Sequence, residues 1–435
     1  MPLHNYVLHA WVNLGGTPVR ISNISWTAHQ EIKSIHELPA SGEGGNLPAL
    51  TELVKTENKP GRVRSILVAH VLHTAIEYVE LVNSIYPVMK VVAVPYSADP
   101  TAVKSLRDRG FEVVVPESVE DTFVQSRDAV LAALSDSSEP LIAQEVGGYL
   151  AKFTDELTAH DHFIGIVEDT NNGHWRYEQH EPHRCPVLSM AQSPLKDVED
   201  TIIGDAVVYS IERVFRENYS SVLQGARCGV IGFGKIGTSS AIALKGREGV
   251  VSVYDINPSK NMRAKVEGFF PLPLQELLTQ TDVVIGATGQ TSVRLVDMPY
   301  IKDGAILVSA SSKRVEFALD EFKKACASVD ALDEVSTRYL RKDGTSFIVL
   351  NDGTPINFRD KSILGTILDM IYCELFVCMR EVANGRAKAS LHHSPPPLQD
   401  EVAKAWLRHH SPAFQKLPND KVWDYPKSLE LGRPK

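Results

Sequence analysis

The stretch "CGVIGFGKIG", residues 228–237, decides the fold. A short apolar run enters a turn with glycines at 232, 234 and 237, and the turn opens into "TSSAIALK", small and apolar residues suited to a helix. A second strand-like run, "VVSVYD", ends on Asp255, about twenty residues further on. A glycine turn alone is a weak signal. Strand, turn, helix and acidic strand end in this order are what a dinucleotide fold requires. Gly232 permits the tight turn, Gly234 lets the backbone approach a pyrophosphate on the helix N-terminus, and Gly237 lets helix and strand pack closely. Asp255 accepts from ribose hydroxyls and repels a 2′-phosphate, so the expected cofactor is NAD rather than NADP.

Working outward, "TDVVIGATG" and "AILVSAS" continue the βα series, which closes in a hairpin around Lys342-Asp343-Gly344. An earlier series begins near Arg64. It reads as strands at Ser65–Ala69, Lys90–Val94, Phe111–Val115 and Pro140–Gln144. Helical spacing falls at His73–Ile85, in "TAVKSLRDRG" and through Ser126–Leu134. After Asn357 an apolar helix is expected over Ile363–Met379. "HHSPPPLQ" (His392–Gln399) then reads as a proline-rich linker and the remainder as a polar tail. The fold class is α/β with two doubly wound parallel-sheet domains. A Rossmann NAD domain over residues 205–357 is inserted in a substrate domain split into 1–204 and 358–392. A C-terminal oligomerisation tail covers 393–435, and the reaction is expected in the cleft between the domains.

The 435 residues carry a formal net charge of -9, which argues against a nucleic-acid backbone or anionic membrane as partner. Five scattered cysteines without CxxC spacing suggest reduced thiols. No basic, then apolar, leader opens the chain and no apolar run reaches about 18 residues, so a cytoplasmic, untargeted protein is expected. His174, His180, His183 and Cys185 fit no standard zinc spacing; they read as a polar loop, with no metal expected. Lys323, Lys324 and "LRHHSPAFQK" read as solvated faces.

"SPLKDVED" (Ser193–Asp200) places Lys196 and Asp200 four apart, which on spacing alone is a solvent-facing helix pair. The order of motifs around it resembles the adenosylhomocysteinase family, from about residue 64 to residue 374. The glycine turn and Asp255 match that family. "VEDTNNGHWR" (Val167–Arg176) is similar to its Glu-Glu-Thr-Thr-Thr-Gly turn, and "SPLKDVEDTIIG" falls where it has Lys-Ser-Lys-Phe-Asp-Asn. "STRYLRKDGTSFIVLNDGTPIN" resembles its Arg-Tyr…Val-Asn stretch, and "KVWDY" keeps its Lys-x-x-x-Tyr spacing at Lys421 and Tyr425.

The resemblance implies transient oxidation of a nucleoside ribose at C3′. The ketone acidifies the C4′ hydrogen, the C5′ substituent leaves, water adds, and the hydride is returned. It implies Lys196 as the base for the 3′-hydroxyl, with its pKa lowered toward neutrality by burial and cofactor charge, and Asp200 orienting it. Asp169 stands where the family's glutamate binds ribose hydroxyls. Thr170, Asn171, Asn172 and Thr201 fall near the nicotinamide, and Ile236, Thr288 and Asn357 match other cofactor contacts. Lys421 and Tyr425 imply a homodimer or homotetramer in which the tail reaches a neighbour's cofactor. The family's Leu-His-Met-Thr histidine falls on His73, or on His70 after a shift of three.

Several family features are replaced. The Asp-Asp-Gly-Gly-Asp stretch is Glu145-Val146-Gly147-Gly148-Tyr149, so valine stands where an aspartate manages protons. A histidine is replaced near Ser311-Ser312, and "RDKSILGTILDM" stands for Gly-His-Pro-Ser-Phe. The expected substrate is therefore a small nucleoside other than adenosylhomocysteine, with dehydration, thioether cleavage or epimerisation as outcomes. Genuine adenosylhomocysteine hydrolysis and an NAD-binding regulatory homologue without catalysis are the alternatives. A hydroxy-acid dehydrogenase is disfavoured, because Arg294 and Arg314 lack a companion histidine.

Overall fold

The computed structural model describes residues 10–14, 17–21, 47–57, 62–311, 314–411 and 414. The chain divides into two compact units, Met1–Glu43 and Gly44–Lys435. In the first, β1 (Ala10–Leu14) and β2 (Thr17–Ile21) form an antiparallel hairpin.

The second unit holds two sheets. Helix α1 (Pro48–Thr56) precedes a series of β3 (Arg64–Ala69), α2 (His73–Ile85), β4 (Val88–Ala93), α3 (Pro100–Asp108), β5 (Val113–Val114) and α4 (Val119–Asp136). It continues through β6 (Leu141–Glu145), α5 (Thr154–Leu157), β7 (Phe163–Glu168), α6 (Asn171–Glu178) and β8 (Pro186–Ser189). A 26-residue helix, α7 (Pro194–Tyr219), leads into the second series. That series is β9 (Arg227–Ile231), α8 (Lys235–Gly246), β10 (Val250–Tyr254), α9 (Pro258–Val266), β11 (Phe270–Pro271), α10 (Leu274–Gln280), β12 (Val283–Gly286), β13 (Ile306–Ser309), α11 (Leu319–Ala325), β14 (Ser328–Ala331), β15 (Ser336–Leu340) and β16 (Ser346–Leu350). The chain then returns through α12 (Ile367–Ala383), β17 (Ser390–His393) and α13 (Pro396–His410).

The first sheet is wholly parallel, ordered β17-β8-β7-β6-β3-β4-β5. The second is ordered β11-β10-β9-β12-β13-β16-β15-β14, with its parallel part closed by the β14–β15–β16 meander. Each reverses direction beside its first strand, between β3 and β6 and between β9 and β12. In doubly wound sheets that reversal opens a crevice at the strand C-termini. Apolar strands such as Arg64–Ala69, buried along their whole length, are what a sheet covered on both faces demands.

Four expectations are corrected. The proline-rich linker and the described part of the polar tail, as far as His410, are instead a strand and a helix. β17 adds to the first sheet, and α13 buries Leu398, Val402 and Ala405. Pro396 and Pro397 fill the first turn of α13, where a missing N–H costs nothing. The histidine-rich "LRHHS" segment is not simply solvated. His409 pairs with Glu52 at 2.7 Å, Arg408 pairs with the same carboxylate, and His410 lies 2.7 Å from buried Asp369. The His174–Cys185 stretch is also no polar loop: His174, His183 and Cys185 are buried. The apolar return helix begins at Ile367 rather than Ile363. Among the described residues, no helix is long and apolar enough to cross a membrane, and all five cysteines are buried and unpaired.

Candidate functional site

A cleft of about 1020 Å³ is lined by residues from the C-terminal ends of both sheets and the start of α7. That is at the upper end of the roughly 300–1,000 Å³ usual for small-molecule sites.

On the β9 side the glycine turn has the shape a dinucleotide needs. Gly232 has φ 94°, and a Cβ there would lie 2.7 Å from the Ala287 carbonyl oxygen. A Cβ on Gly237 would lie 1.8 Å from the Gly232 oxygen. A Cβ on Gly234 would meet nothing within 4 Å, so the backbone at the start of α8 is open to an approaching phosphate. Asp255 directly follows β10 with little exposure. Its Oδ2 accepts from Phe233 N at 2.7 Å and its Oδ1 from Asn257 N at 2.8 Å, while the Lys260 ammonium sits 3.4 Å from Oδ2. The residues present therefore fit a dinucleotide. Ile236, Thr288 and Asn357 also line the cleft. Thr288 is held by a residue the sequence reading passed over. Buried Glu316 accepts from Thr288 N and Oγ1 at 2.7 and 2.9 Å, and from Gly289 N at 2.7 Å.

On the other side, α7 brings in the charged centre. Ser193 caps the helix and Pro194 starts it. Lys196, Glu199 and Asp200 are 7, 6 and 8% exposed, so the apparent surface pair is in fact buried. Lys196 Nζ donates to Asp169 Oδ1 at 3.0 Å and is closed on by Glu199 Oε2. Asp200 instead faces Lys235, at 3.6 Å. Burial works against the Lys196 charge, but Asp169, Glu199 and Asp200 outweigh it and hold the ammonium above its ordinary range. The expected lowering is thus reversed by the protein's own carboxylates. Burial pushes Glu199 up to about 7 against the pull of Lys196. Glu199 was missed because Lys–Asp at i, i+4 drew attention past the i, i+3 carboxylate on the same face.

Asp169 and its neighbours follow β7. Glu168, the last strand residue, accepts from Gly147 N, Gly148 N and Thr170 N, which ties this loop to the one after β6. Thr170 caps α6 through Gly173 N. Thr170, Asn171 and Asn172 all line the cleft, as does Val146. Glu145 turns away from it and accepts from Tyr149 N and the Tyr177 hydroxyl.

The structure separates the two histidines. His73, at the start of α2, lies 2.8 Å from Thr101 Oγ1 and outside the cleft. His70, directly after β3 at the sheet reversal, lines the cleft and packs against Phe358 with ring centroids 4.9 Å apart. Burial pushes its imidazole down to about 4, so it is neutral. Ser97 Oγ donates to Val94 O at 3.1 Å and so accepts from His70 Nδ1 at 2.6 Å. That leaves the Nε2 lone pair for a ligand. A residue just past the first strand of a doubly wound sheet is the signal that favours His70. Thr201 also lies off the cleft: it is exposed and donates to Val198 O. Lys421 and Tyr425 lie outside the described residues.

Residues 205–362 match the family described as S-adenosyl-L-homocysteine hydrolase, NAD binding domain. The adenosylhomocysteinase of Sulfurisphaera tokodaii is 22% identical over 89% of this chain and 94% of its own length. That of Saccharolobus solfataricus is 24% identical over 83% and 89%. Among solved structures, the D-lactate dehydrogenase of Escherichia coli aligns at TM-score 0.34 and 17% identity, over 60% of this chain and 78% of that one. The chain therefore carries an NAD-binding domain of the S-adenosyl-L-homocysteine hydrolase type over residues 205–362 and aligns along most of its length with adenosylhomocysteinases, as a divergent relative of them.

Proposed function

We propose that the protein is an NAD-dependent enzyme that transiently oxidises the 3′-hydroxyl of a nucleoside ribose, so that C4′ can lose its proton and C5′ can eliminate, add or the centre invert. The observation that carries this reading is the buried amine of Lys196, held in the cleft against Asp169. The turn at Gly232–Gly237 and Asp255 would hold the cofactor's pyrophosphate and ribose, and Thr170, Asn171, Asn172, Thr288 and Asn357 its nicotinamide end. When bound, NAD supplies a hydride acceptor that later gives the hydride back. Lys196 takes the hydroxyl proton, which first requires that its ammonium be discharged. Asp169 accepts from the sugar hydroxyls. Neutral His70, its tautomer fixed by Ser97, offers Nε2 to the proton leaving C4′ or to the C5′ group. Val146 has no proton to exchange where the family has an aspartate, which favours a substrate other than adenosylhomocysteine.

Adenosine and adenosylhomocysteine, each added to the purified NAD-loaded protein, test this. Adenosine should raise the absorbance of reduced nicotinamide, and Lys196→Met should slow that rise by about 10²–10⁴-fold. Turnover of adenosylhomocysteine at ordinary enzyme rates would refute the altered substrate. Val146 also supports a second reading, an NAD-binding regulatory homologue. Retained NAD with no absorbance change on any nucleoside is the outcome that favours it.

A further inference from the structure

The Lys196 centre carries more negative charge than one amine can balance. Nζ donates to Asp169 Oδ1 at 3.0 Å, and Glu199 Oε2 touches it as an ion pair without a well-aligned hydrogen bond. Both carboxylates are nearly closed off from water. Asp200, the partner expected from the family pattern, is shared with Lys235 of α8, which also holds Asp197 at 2.6 Å. The other groups facing the centre are His70 after β3, Tyr78 of α2, and Tyr372 and Glu374 of α12. None of them is a second cation. A base in this position must be an amine when the hydroxyl proton arrives, and water has little access to remove its resting proton.

Resting on the reading of Lys196 as the base, we infer that Glu199 is its positioning and proton-holding partner. The Lys196 ammonium passes its proton to the Glu199 carboxylate within the ion pair, giving an amine beside a carboxylic acid. The amine would then accept the sugar O–H proton as C3′ is oxidised, bound NAD being what would supply the hydride acceptor. On the return reduction the ammonium gives that proton back to the oxygen, and Glu199 returns its own to Lys196. One proton shuttles between Oε2 and Nζ, and the net count is unchanged. The raised affinity of Glu199 for a proton narrows the gap to the Lys196 ammonium, which the same carboxylates hold higher still, and the Asp169 contact keeps the amine in place.

The test reads Lys196 itself. Its acetylation by acetic anhydride, followed by peptide mass spectrometry across pH, reports the apparent pKa of that one amine in the full-length protein without any substrate. Glu199→Gln should lower that pKa by about one unit or more, since it removes an adjoining carboxylate. Glu199→Asp, which draws the carboxylate back, should move it the same way by less and serves if the glutamine variant does not fold. Asp200→Asn should move it least. An unchanged profile in both Glu199 variants, or a larger shift in Asp200→Asn, overturns the proposal. In a parallel arm with adenosine, the pH at which reduced nicotinamide half-appears should shift in Glu199→Gln. If wild-type protein gives no reduced nicotinamide at any pH, the oxidation of adenosine fails while the acetylation profiles still decide the role of Glu199.

Discussion

Glu145 and Glu168 end neighbouring parallel strands in register, and both carboxyls are turned inward to accept backbone N–H groups. Burial raises Glu145 to about 7, and burial with the Glu145 charge raises Glu168 to about 8. A carboxyl whose folded pKa exceeds its unfolded value binds more protons when folded, so stability is lost as pH rises. Thermal stability should therefore fall between about pH 5 and pH 8, and Glu145→Gln should flatten that fall; an equally steep decline in the variant would remove the pair as its cause. At this scale much of the site was legible. Lys196 and Asp169 both line the cleft, and the three glycines shape the turn into α8. Glu199, Glu316 and the choice of His70 over His73 were not, because each depends on which way a side chain turns across a strand end or helix face, and spacing alone leaves that open.

The βα elements could be read from periodicity, since strands buried on both faces are continuously apolar and helices alternate at 3.6. α13 could not, because three consecutive prolines signal a break as readily as a helix start. α7 packs closely on α8 through a small residue. A Cβ on Gly204 would stand 2.0 Å from Ser239 Oγ and 2.5 Å from Ser240 N, and the Asp200 carbonyl accepts from Ser239 Oγ at 2.7 Å. Gly204→Val should cost about 1–3 kcal/mol of stability and, by tilting α7, reduce adenosine-dependent nicotinamide reduction as well. Wild-type melting temperature in this variant would mean that the contact is not tight.

At the scale of the molecule, one parallel sheet and one mostly parallel sheet turn their reversal points toward one cleft, and α13 returns to brace α1 and α12 through Glu52 and Asp369. Ending the chain after Ser411 keeps this brace. NAD retention should fall if Lys421 and Tyr425 reach a neighbour's cofactor in a dimer or tetramer. Ending it after Gln399 removes buried Val402 and Ala405 and should cost at least about 2 kcal/mol. Full NAD retention by the shorter truncation would exclude a role for the tail in holding it.

The chain passes between the two sheets twice, once as α7 and once through residues 351–366. The second passage is rich in left-handed backbone, at Asn351, Asp352, Gly353, Lys361, Ser362 and Gly365. The first is an unbroken rod about 39 Å long, clamped to α8 from Asp200 onward. Flexing such a rod would sacrifice successive backbone bonds, so any hinge must lie ahead of Pro194 and in the left-handed stretch. Lys196 would then swing together with the nucleotide-binding half, and opening the jaws would part it from Asp169 while keeping it alongside the glycine turn.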